Sequence, residues 1–122
     1  MLKLKRVYEP LSPDDGKRYL VDRLWPRGLK KEEAQIAEWF KDLAPSHELR
    51  RWFAHQPQLW EEFQQRYVKE LEDPEKSPHL EALLQRARQG TATLIFAAKD
   101  EGRNNAVALK QYLEDRLRSS SR

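Results

Sequence analysis

The chain has 122 residues, no cysteine and a formal net charge of +3, and 35% of its residues are charged. This length suits one domain with a single core, and the lack of cysteine excludes a disulfide-stapled secreted domain, a thiolate metal site and a cysteine nucleophile. No stretch has the roughly eighteen apolar residues that span a membrane, and the first residues lack a signal-peptide pattern. We expect a soluble, cytoplasmic α/β domain over residues 1–118, followed by a disordered tail over 119–122.

Charge is distributed unevenly along the chain. Residues 1–31 contain nine Lys and Arg against four Asp and Glu, and residues 86–122 contain eight against four. Residues 32–85 contain six against twelve, so an acidic middle separates two basic ends. This excess is small for wrapping nucleic acid and better suits a small anion held between the basic segments. Alternatively, the acidic and basic segments attract one another within the fold.

Two extended segments open the chain. Residues 2–8 alternate apolar and charged side chains, which is typical of a half-buried strand. A loop rich in Pro, Asp and Gly follows over 9–16, and apolar residues resume over 19–25. We predict a second strand there that ends near Pro26, because proline has no N–H to donate to a ladder.

The middle of the chain has helical periodicity. Apolar residues recur at helical spacing through 31–43, which predicts a first helix over that segment. The same periodicity predicts three more helices, over residues 46–53, 58–72 and 80–87. Ser46 is the expected N-cap of the first of these three.

The last third of the chain contains the most apolar segment. Residues 91–98 form an uncharged, β-prone run, which predicts a strand buried on both faces at the centre of a sheet. A polar turn and a closing helix from Ala106 to Leu117 follow, with Asn104 as the expected N-cap. The order of elements predicts a single layered α/β domain with a small, mainly parallel sheet covered by about five helices.

A candidate site follows if the strands at 19–25 and 91–98 run parallel. The turns at their carboxyl ends then share one edge of the sheet, which is where open α/β folds bind ligands. The first turn has two guanidinium groups four residues apart, on Arg23 and Arg27, with the indole of Trp25 between them. This combination predicts a clamp for a phosphate or a carboxylate.

The second turn supplies further polar groups. Lys99 adds positive charge, Asp100 is the candidate catalytic base, and Asn104 lies at a helix N-terminus, whose free N–H groups attract anions. Arg50 and His55 are predicted to close the far side of the same cleft. A small anionic ligand is therefore the expected partner.

Each of these residues also has a structural interpretation. Arg23 pairs with an acid such as Asp22 in one alternative, and Trp25 packs in the core or at its rim in another. The alternative for Asn104 is a helix cap, and the alternative for Asp100 is a turn former. His55 is a structural histidine in the corresponding alternative.

The sequence has no pattern that is typical of a metal or nucleotide cofactor. The three histidines are isolated, and no two share a helical face at ligand spacing. The four glycines are scattered, so neither a P-loop nor a dinucleotide fingerprint is present. We expect no metal and no cofactor.

Several runs of residues resemble one known family. The most specific is the run over 20–28, and it is joined by Asp15-Gly16 with Arg18, by 43–46 and by 97–100. Together they resemble domain-of-unknown-function family 488, in its YeaO-like branch, over nearly the whole chain. The resemblance implies a compact cytosolic α/β domain with no assigned reaction. The matching polar positions are Arg23, Arg27, Ser46, Arg50, Lys99, Asp100 and Asn104.

One departure from that family bears on function. Relatives often have His or Gln where this chain has Arg103. If that histidine transfers a proton in relatives, this chain lacks it and gains positive charge, which favours binding over acid–base chemistry.

Three functional hypotheses follow. The first is a small cytosolic protein that binds a phosphorylated or carboxylated small molecule, with a hydrolase or transferase reaction as an option. The second is a nucleic-acid-associated module that uses its basic ends, with Trp25 and Tyr8 as stacking surfaces. The third is a protein interaction adaptor whose acidic residues 61–81 contact a basic partner. No membrane partner is expected, and the sequence makes no prediction of oligomeric state.

Overall fold

The computed structural model describes residues 1–120. Four strands and five helices form a mixed α/β fold within these residues, with short 3-10 turns between some of them. The strands are β1 (Leu2–Arg6), β2 (Lys17–Leu20), β3 (Glu38–Trp39) and β4 (Ala92–Phe96). The helices are α1 (Lys31–Ala34), α2 (His47–Phe53), α3 (Trp60–Leu71), α4 (Ser77–Gln89) and α5 (Asn105–Ser120).

The sheet is parallel throughout, in the order β1-β4-β2-β3. Strand β4 lies inside the sheet, where Leu94 pairs with Leu4 on one side and with Tyr19 on the other. Every residue of β4 is buried, because both faces of the sheet are covered. The predicted α/β fold, the small parallel sheet and the central position of this strand are confirmed.

The two faces of the sheet are covered by different parts of the chain. Helices α2 to α5 pack on one face, against a large apolar core that includes Tyr19 and Leu94. The other face has a smaller apolar cluster around Leu20 and Ile95, covered by loop residues such as Trp25. The turn that follows β2 is therefore held against the second face by packing.

The predicted helix over 31–43 is wrong beyond its first turn. Helix α1 has only four residues, and Gln35 then adopts the left-handed conformation with a φ of 48°. Ile36 and Phe40 would share one side of a helix, but they pack on opposite faces of the sheet. The Phe40 N–H donates to the Leu20 carbonyl oxygen at 2.8 Å. This segment therefore pairs with the edge of β2 instead of continuing the helix.

Strand β2 begins two residues before the predicted segment 19–25 and ends well inside it. In a continuing parallel ladder, the Ala97 N–H would donate to the Val21 carbonyl oxygen. It donates instead to Asp22 Oδ2 at 2.9 Å, and the Val21 oxygen accepts from Asn105 Nδ2 at 3.1 Å. Side chains thus replace backbone pairing after Val21, and the chain turns away from the sheet.

Most of the predicted helices are confirmed. The segments 46–53 and 58–72 correspond to α2 and α3, and 80–87 is the central part of α4. Of the predicted tail over 119–122, the first two residues belong to α5, which extends through Ser120. The last two residues lie outside the described part of the chain.

Candidate functional site

The turns that follow β2 and β4 meet at one edge of the sheet. Asp22 follows β2, and its Oδ2 accepts a hydrogen bond from the Ala97 N–H at 2.9 Å. The Asn105 side chain, at the start of α5, donates from Nδ2 to Asp22 Oδ1 and to the Val21 carbonyl oxygen, both at 3.1 Å. These bonds fix both turns and α5 around one carboxyl group.

The Asp22 carboxyl group is half-buried. Its burial raises its pKa above the ordinary value, although the hydrogen bonds from Ala97 and Asn105 and the positive charge of Arg50 act in the opposite direction. The ionised form of Asp22 is therefore less favourable in the folded chain than in water.

Arg23 is anchored to the chain segment that precedes α2. Its Nε and Nη2 atoms both lie 3.3 Å from the Pro45 carbonyl oxygen. Asp22 accepts hydrogen bonds from Ala97 and Asn105, and within residues 1–120 it forms no ion pair with Arg23. The Arg23 side chain is exposed, so its remaining N–H donors face solvent.

Helix α2 places Arg50 near the same edge. The Ser46 Oγ accepts from the Leu49 N–H at 3.1 Å, which confirms Ser46 as the N-cap, and it donates to Glu70 Oε2 at 2.5 Å. The Ser46 N–H also donates to Glu70 Oε1 at 2.8 Å, so α3 holds the first turn of α2. The positive charge of Arg50 acts on the Asp22 carboxyl. Within the described residues, the exposed Arg50 guanidinium makes no hydrogen bond to another side chain.

A buried tyrosine on α3 supports these residues from beneath. The Tyr67 hydroxyl on α3 donates to the Leu43 carbonyl oxygen at 2.5 Å and is fully buried. Burial raises its pKa, and the negative charges of Glu70 and Asp22 raise it further. Tyr67 is therefore a neutral hydrogen-bond donor that supports the segment leading to Ser46. We call Asp22, Arg23, Arg50 and Asn105 the Asp22 cluster.

The turn after β4 is closed by its own side chains. Asp100 Oδ1 accepts from the N–H groups of Gly102 at 3.0 Å and Arg103 at 3.1 Å, and Arg103 Nε lies 3.5 Å from Oδ2. Asn104 is buried, and its Oδ1 accepts from the Val107 N–H at 3.0 Å, which confirms it as the cap of α5. Asp100 thus shapes the turn. The adjacent Lys99 is exposed and has no hydrogen-bond partner in the described part of the chain.

Three predicted site residues face elsewhere or lack contacts with this edge. The Trp25 indole donates to the Leu29 carbonyl oxygen at 2.7 Å and packs edge-on against Trp39, with ring centroids 5.7 Å apart. It belongs to the cluster on the second face of the sheet. Arg27 and His55 are exposed, and neither side chain bonds to the Asp22 cluster within residues 1–120.

Asp22 and Asn105 organise the edge, and the sequence interpretation did not select them as site residues. Asp22 is the first polar residue after the apolar run that ends β2, and this position was the available signal. Nothing in the spacing indicates that Asn105, eighty-three residues later in the chain, bonds to it.

Neither a metal centre nor a membrane segment is found in residues 1–120. No group of three or more His, Asp or Glu side chains there could hold a metal ion. Helices α1 to α5 are all too short or too polar to reach across a bilayer.

A family model described as the inactive DUF488-N3 subclade matches residues 1–122. The chain belongs to this subclade. The resemblance to family 488, inferred from the residue runs, is confirmed. No solved structure matches this DUF488-N3 chain significantly.

Relatives of this DUF488-N3 protein match it along most of their length. An uncharacterized protein of Mycobacterium tuberculosis H37Rv is 42% identical over 115 residues, which cover 94% of this chain and 95% of that protein. The uncharacterized protein YeaO of Escherichia coli K12 is 38% identical over 112 residues, which cover 92% and 96%. The YeaO-like branch indicated by the sequence motifs is therefore confirmed.

Proposed function

We propose that this protein binds a small phosphorylated or carboxylated molecule at the Asp22 cluster without converting it. The observation that carries the proposal is the Arg50 guanidinium, which is exposed and makes no side-chain hydrogen bond within residues 1–120 although its charge acts on Asp22. Arg23 adds a second guanidinium, and Lys99 adds a third positive charge in the neighbouring turn. Guanidinium groups bind carboxylates and phosphates through paired hydrogen bonds.

Asp22 restricts the ligand further. A bare anion would be repelled by an ionised carboxylate at the centre of the cluster. A ligand that carries a hydroxyl or an amine beside its anionic group can donate to Asp22 while its anion contacts Arg50. Sugar phosphates and hydroxy acids have this arrangement.

Binding without turnover is supported by two observations. The matching family model is described as inactive, and Asp100, the candidate base, uses its carboxylate to close a turn. Arg103 lies against that same carboxylate, with its Nε 3.5 Å from Asp100 Oδ2. The hydrolase or transferase option therefore has less support than binding.

The test is isothermal titration of the protein with ribose phosphate, glycerate and uncharged ribose. Arg50→Ala should weaken binding of the anionic ligands at least about tenfold, because a charge-assisted hydrogen bond contributes about 1.5–3 kcal/mol. Arg51→Ala is the matched control, since it removes the same charge from the next position of α2 and should leave the affinity within about twofold. Equal losses in both variants, or equal binding of ribose and ribose phosphate, would refute the site.

The two alternative functions predict different binding results. A single-stranded oligonucleotide that binds more tightly than ribose phosphate, and that weakens steeply with salt, would favour the nucleic-acid module. A protein partner that is retained after Arg23→Ala and Arg27→Ala would favour the adaptor.

A further inference from the structure

A second polar cluster lies near the start of β2. Asp15 lies between two cations, with Lys5 Nζ 2.9 Å from its Oδ1 and Arg18 Nη1 2.8 Å from its Oδ2. Only 14% of the Lys5 side chain, 6% of Asp15 and 5% of Arg18 are exposed. One carboxylate therefore serves two largely buried cations. We call these three residues the Asp15 cluster; its formal charge is one positive unit.

Arg18 is fixed in position but is not fully satisfied. Its Nε donates to the Ala34 carbonyl oxygen at 3.0 Å, and its Nη1 donates to Asp15. Its buried Nη2 has no hydrogen-bond partner within residues 1–120. Leaving a buried donor without an acceptor costs about 1–3 kcal/mol, and more for a charged group. A buried donor without an acceptor in a native structure needs an explanation. One explanation is that a molecule from outside the chain supplies the acceptor for Arg18 Nη2.

An open cavity of about 570 Å³ borders this cluster, and Arg18 forms part of its wall. This volume suits a small molecule. Lys17 lines the same cavity, and no acidic side chain of the described residues does. Leu11, Pro13 and Ile36 supply the apolar part of the wall. The cavity thus combines an uncompensated positive charge with an apolar surface.

We propose that this cavity binds an organic carboxylate that accepts a hydrogen bond from Arg18 Nη2 and whose apolar body packs on Leu11 and Ile36, with Lys17 adding positive charge at the cavity wall. A carboxylate is a monoanion and neutralises the single excess charge of the Asp15 cluster, and its apolar body covers the wall that inorganic phosphate would leave unused. Because Nη2 is itself covered, a side chain of the wall must move aside to admit the oxygen. The acid is either free or the terminal carboxylate of a peptide, since both present the same group.

This site is separate from the one proposed above. Arg18 lies within β2, and Asp22 follows the end of that strand. The two residues are four positions apart, which corresponds to roughly 13 Å between their Cα atoms in an extended chain. The failure of one site therefore leaves the other untouched.

The first experiment is isothermal titration of the full chain with isocaproate and with isocaproamide, which has the same shape without the charge. We expect the acid to bind and the amide not to bind. The tripeptide Gly-Gly-Leu and its terminal amide then distinguish a peptide terminus from a free acid. Equal affinity of acid and amide, or no binding of any acid at millimolar concentration, would overturn the proposal and leave a buried water as the partner of Nη2.

The second experiment uses matched variants. Lys17→Ala should weaken isocaproate binding several-fold, whereas Lys69→Ala, which removes an exposed charge on α3, should leave it unchanged. Arg18→Lys keeps the charge but removes the Nη2 donor, and it should weaken binding at least about tenfold. If Arg18→Lys fails to fold by circular dichroism, the comparison of Lys17→Ala with Lys69→Ala decides. Equal affinity in those two variants contradicts the site.

Discussion

Asp15 and Asp22 are two carboxyl groups with opposite pKa shifts. Burial alone would raise the pKa of Asp15, but Lys5, the Ser12 N–H and Arg18 together lower it below the ordinary value of 3.8. Burial of Asp22 outweighs its hydrogen bonds and the charge of Arg50, so its pKa is raised above that value. Ionised Asp15 therefore stabilises the folded state, whereas ionised Asp22 destabilises it.

Asp15→Asn should lower the free energy of unfolding by about 3 kcal/mol near neutral pH, because it leaves two buried cations without their anion. The folded pKa lies below 3.8, so this stabilisation is present above that pH and disappears as the pH falls through the folded pKa. Urea unfolding at about pH 7 and about pH 2.5 should show the difference from the wild type shrinking at low pH. The exposed neighbour provides the control: Asp14→Asn should change stability by less than about 0.5 kcal/mol. Matching losses in the two variants would contradict the assignment.

Asp22→Asn should show the reverse pH dependence. The folded pKa of Asp22 lies above 3.8, so the folded state binds more protons and the wild type loses stability as the pH rises through this window. Asparagine cannot ionise, and the stability of the variant relative to the wild type should increase as the pH rises above 3.8 and through the raised pKa of Asp22. Urea unfolding at several pH values measures this trend. A difference that does not change with pH would show that Asp22 has an ordinary pKa.

Sequence reasoning predicted that the turns after the two strands meet at one edge of the sheet, but it did not select Asp22, the carboxyl group on which those turns converge. Asp22 and Asp100 each follow a strand, and their local patterns do not distinguish them. The difference arises from tertiary packing, because Asn105 reaches back to Asp22 while Asp100 binds the N–H groups of its own turn. Trp25 shows the same limit, since only the fold places Trp39 against its ring.

At the scale of elements, the segment after α1 shows how an edge strand can override helical periodicity. Apolar spacing over 31–43 fits a helix, but β2 exposes an edge that needs partners for its backbone oxygens. The Ala37 N–H donates to the Arg18 oxygen at 2.7 Å, and β3 provides the next pairing. The four-residue spacing of Ile36 and Phe40 fits a helix, but it does not show that these side chains pack on opposite faces of the sheet.

Gly16 controls the entry into β2. Its φ is +61°, and a Cβ at this position would overlap the Thr91 carbonyl oxygen. Gly16→Ala should therefore lower the free energy of unfolding by about 3 kcal/mol, measured by urea unfolding. Gly28 is the matched control, since its φ is +77° and no atom lies within 4 Å of the position that a Cβ would take. Gly28→Ala should cost only about 1 kcal/mol, and an equal cost at both positions would refute the close contact at Gly16.

Across the whole molecule, the separation of charge along the chain contributes little to stability. Ion pairs do join the acidic middle to the basic carboxyl-terminal segment, as with Arg86 and Glu38 at 2.7 Å and Arg116 and Glu81 at 2.7 Å. These side chains are 31% to 54% exposed, and such pairs typically contribute between about 0 and 1 kcal/mol. The predicted attraction between the acidic and basic segments therefore exists within the fold, but it contributes little to stability.

The global arrangement was easier to predict than its boundaries. The uncharged run at 91–98 has apolar side chains on both faces of the strand, and these are buried only in the interior of a covered sheet. Its central position therefore follows from its composition. The end of β2 could not be predicted, because it depends on a bond from Asn105. The type and position of a long, strongly patterned segment can thus be predicted from its own residues. The residue at which a strand ends depends on contacts with residues far away in the chain.

The central position of β4 also determines when the protein can fold during translation. Strands β1 and β2 leave the ribosome early, but the strand that joins them is the last of the sheet to be made. Until β4 emerges, a nascent chain can form only the short pairing between β2 and β3, and the long-range contacts that make parallel sheets slow to form must wait. We therefore expect a chain stalled before β4 to expose unpaired strand edges, which favour aggregation.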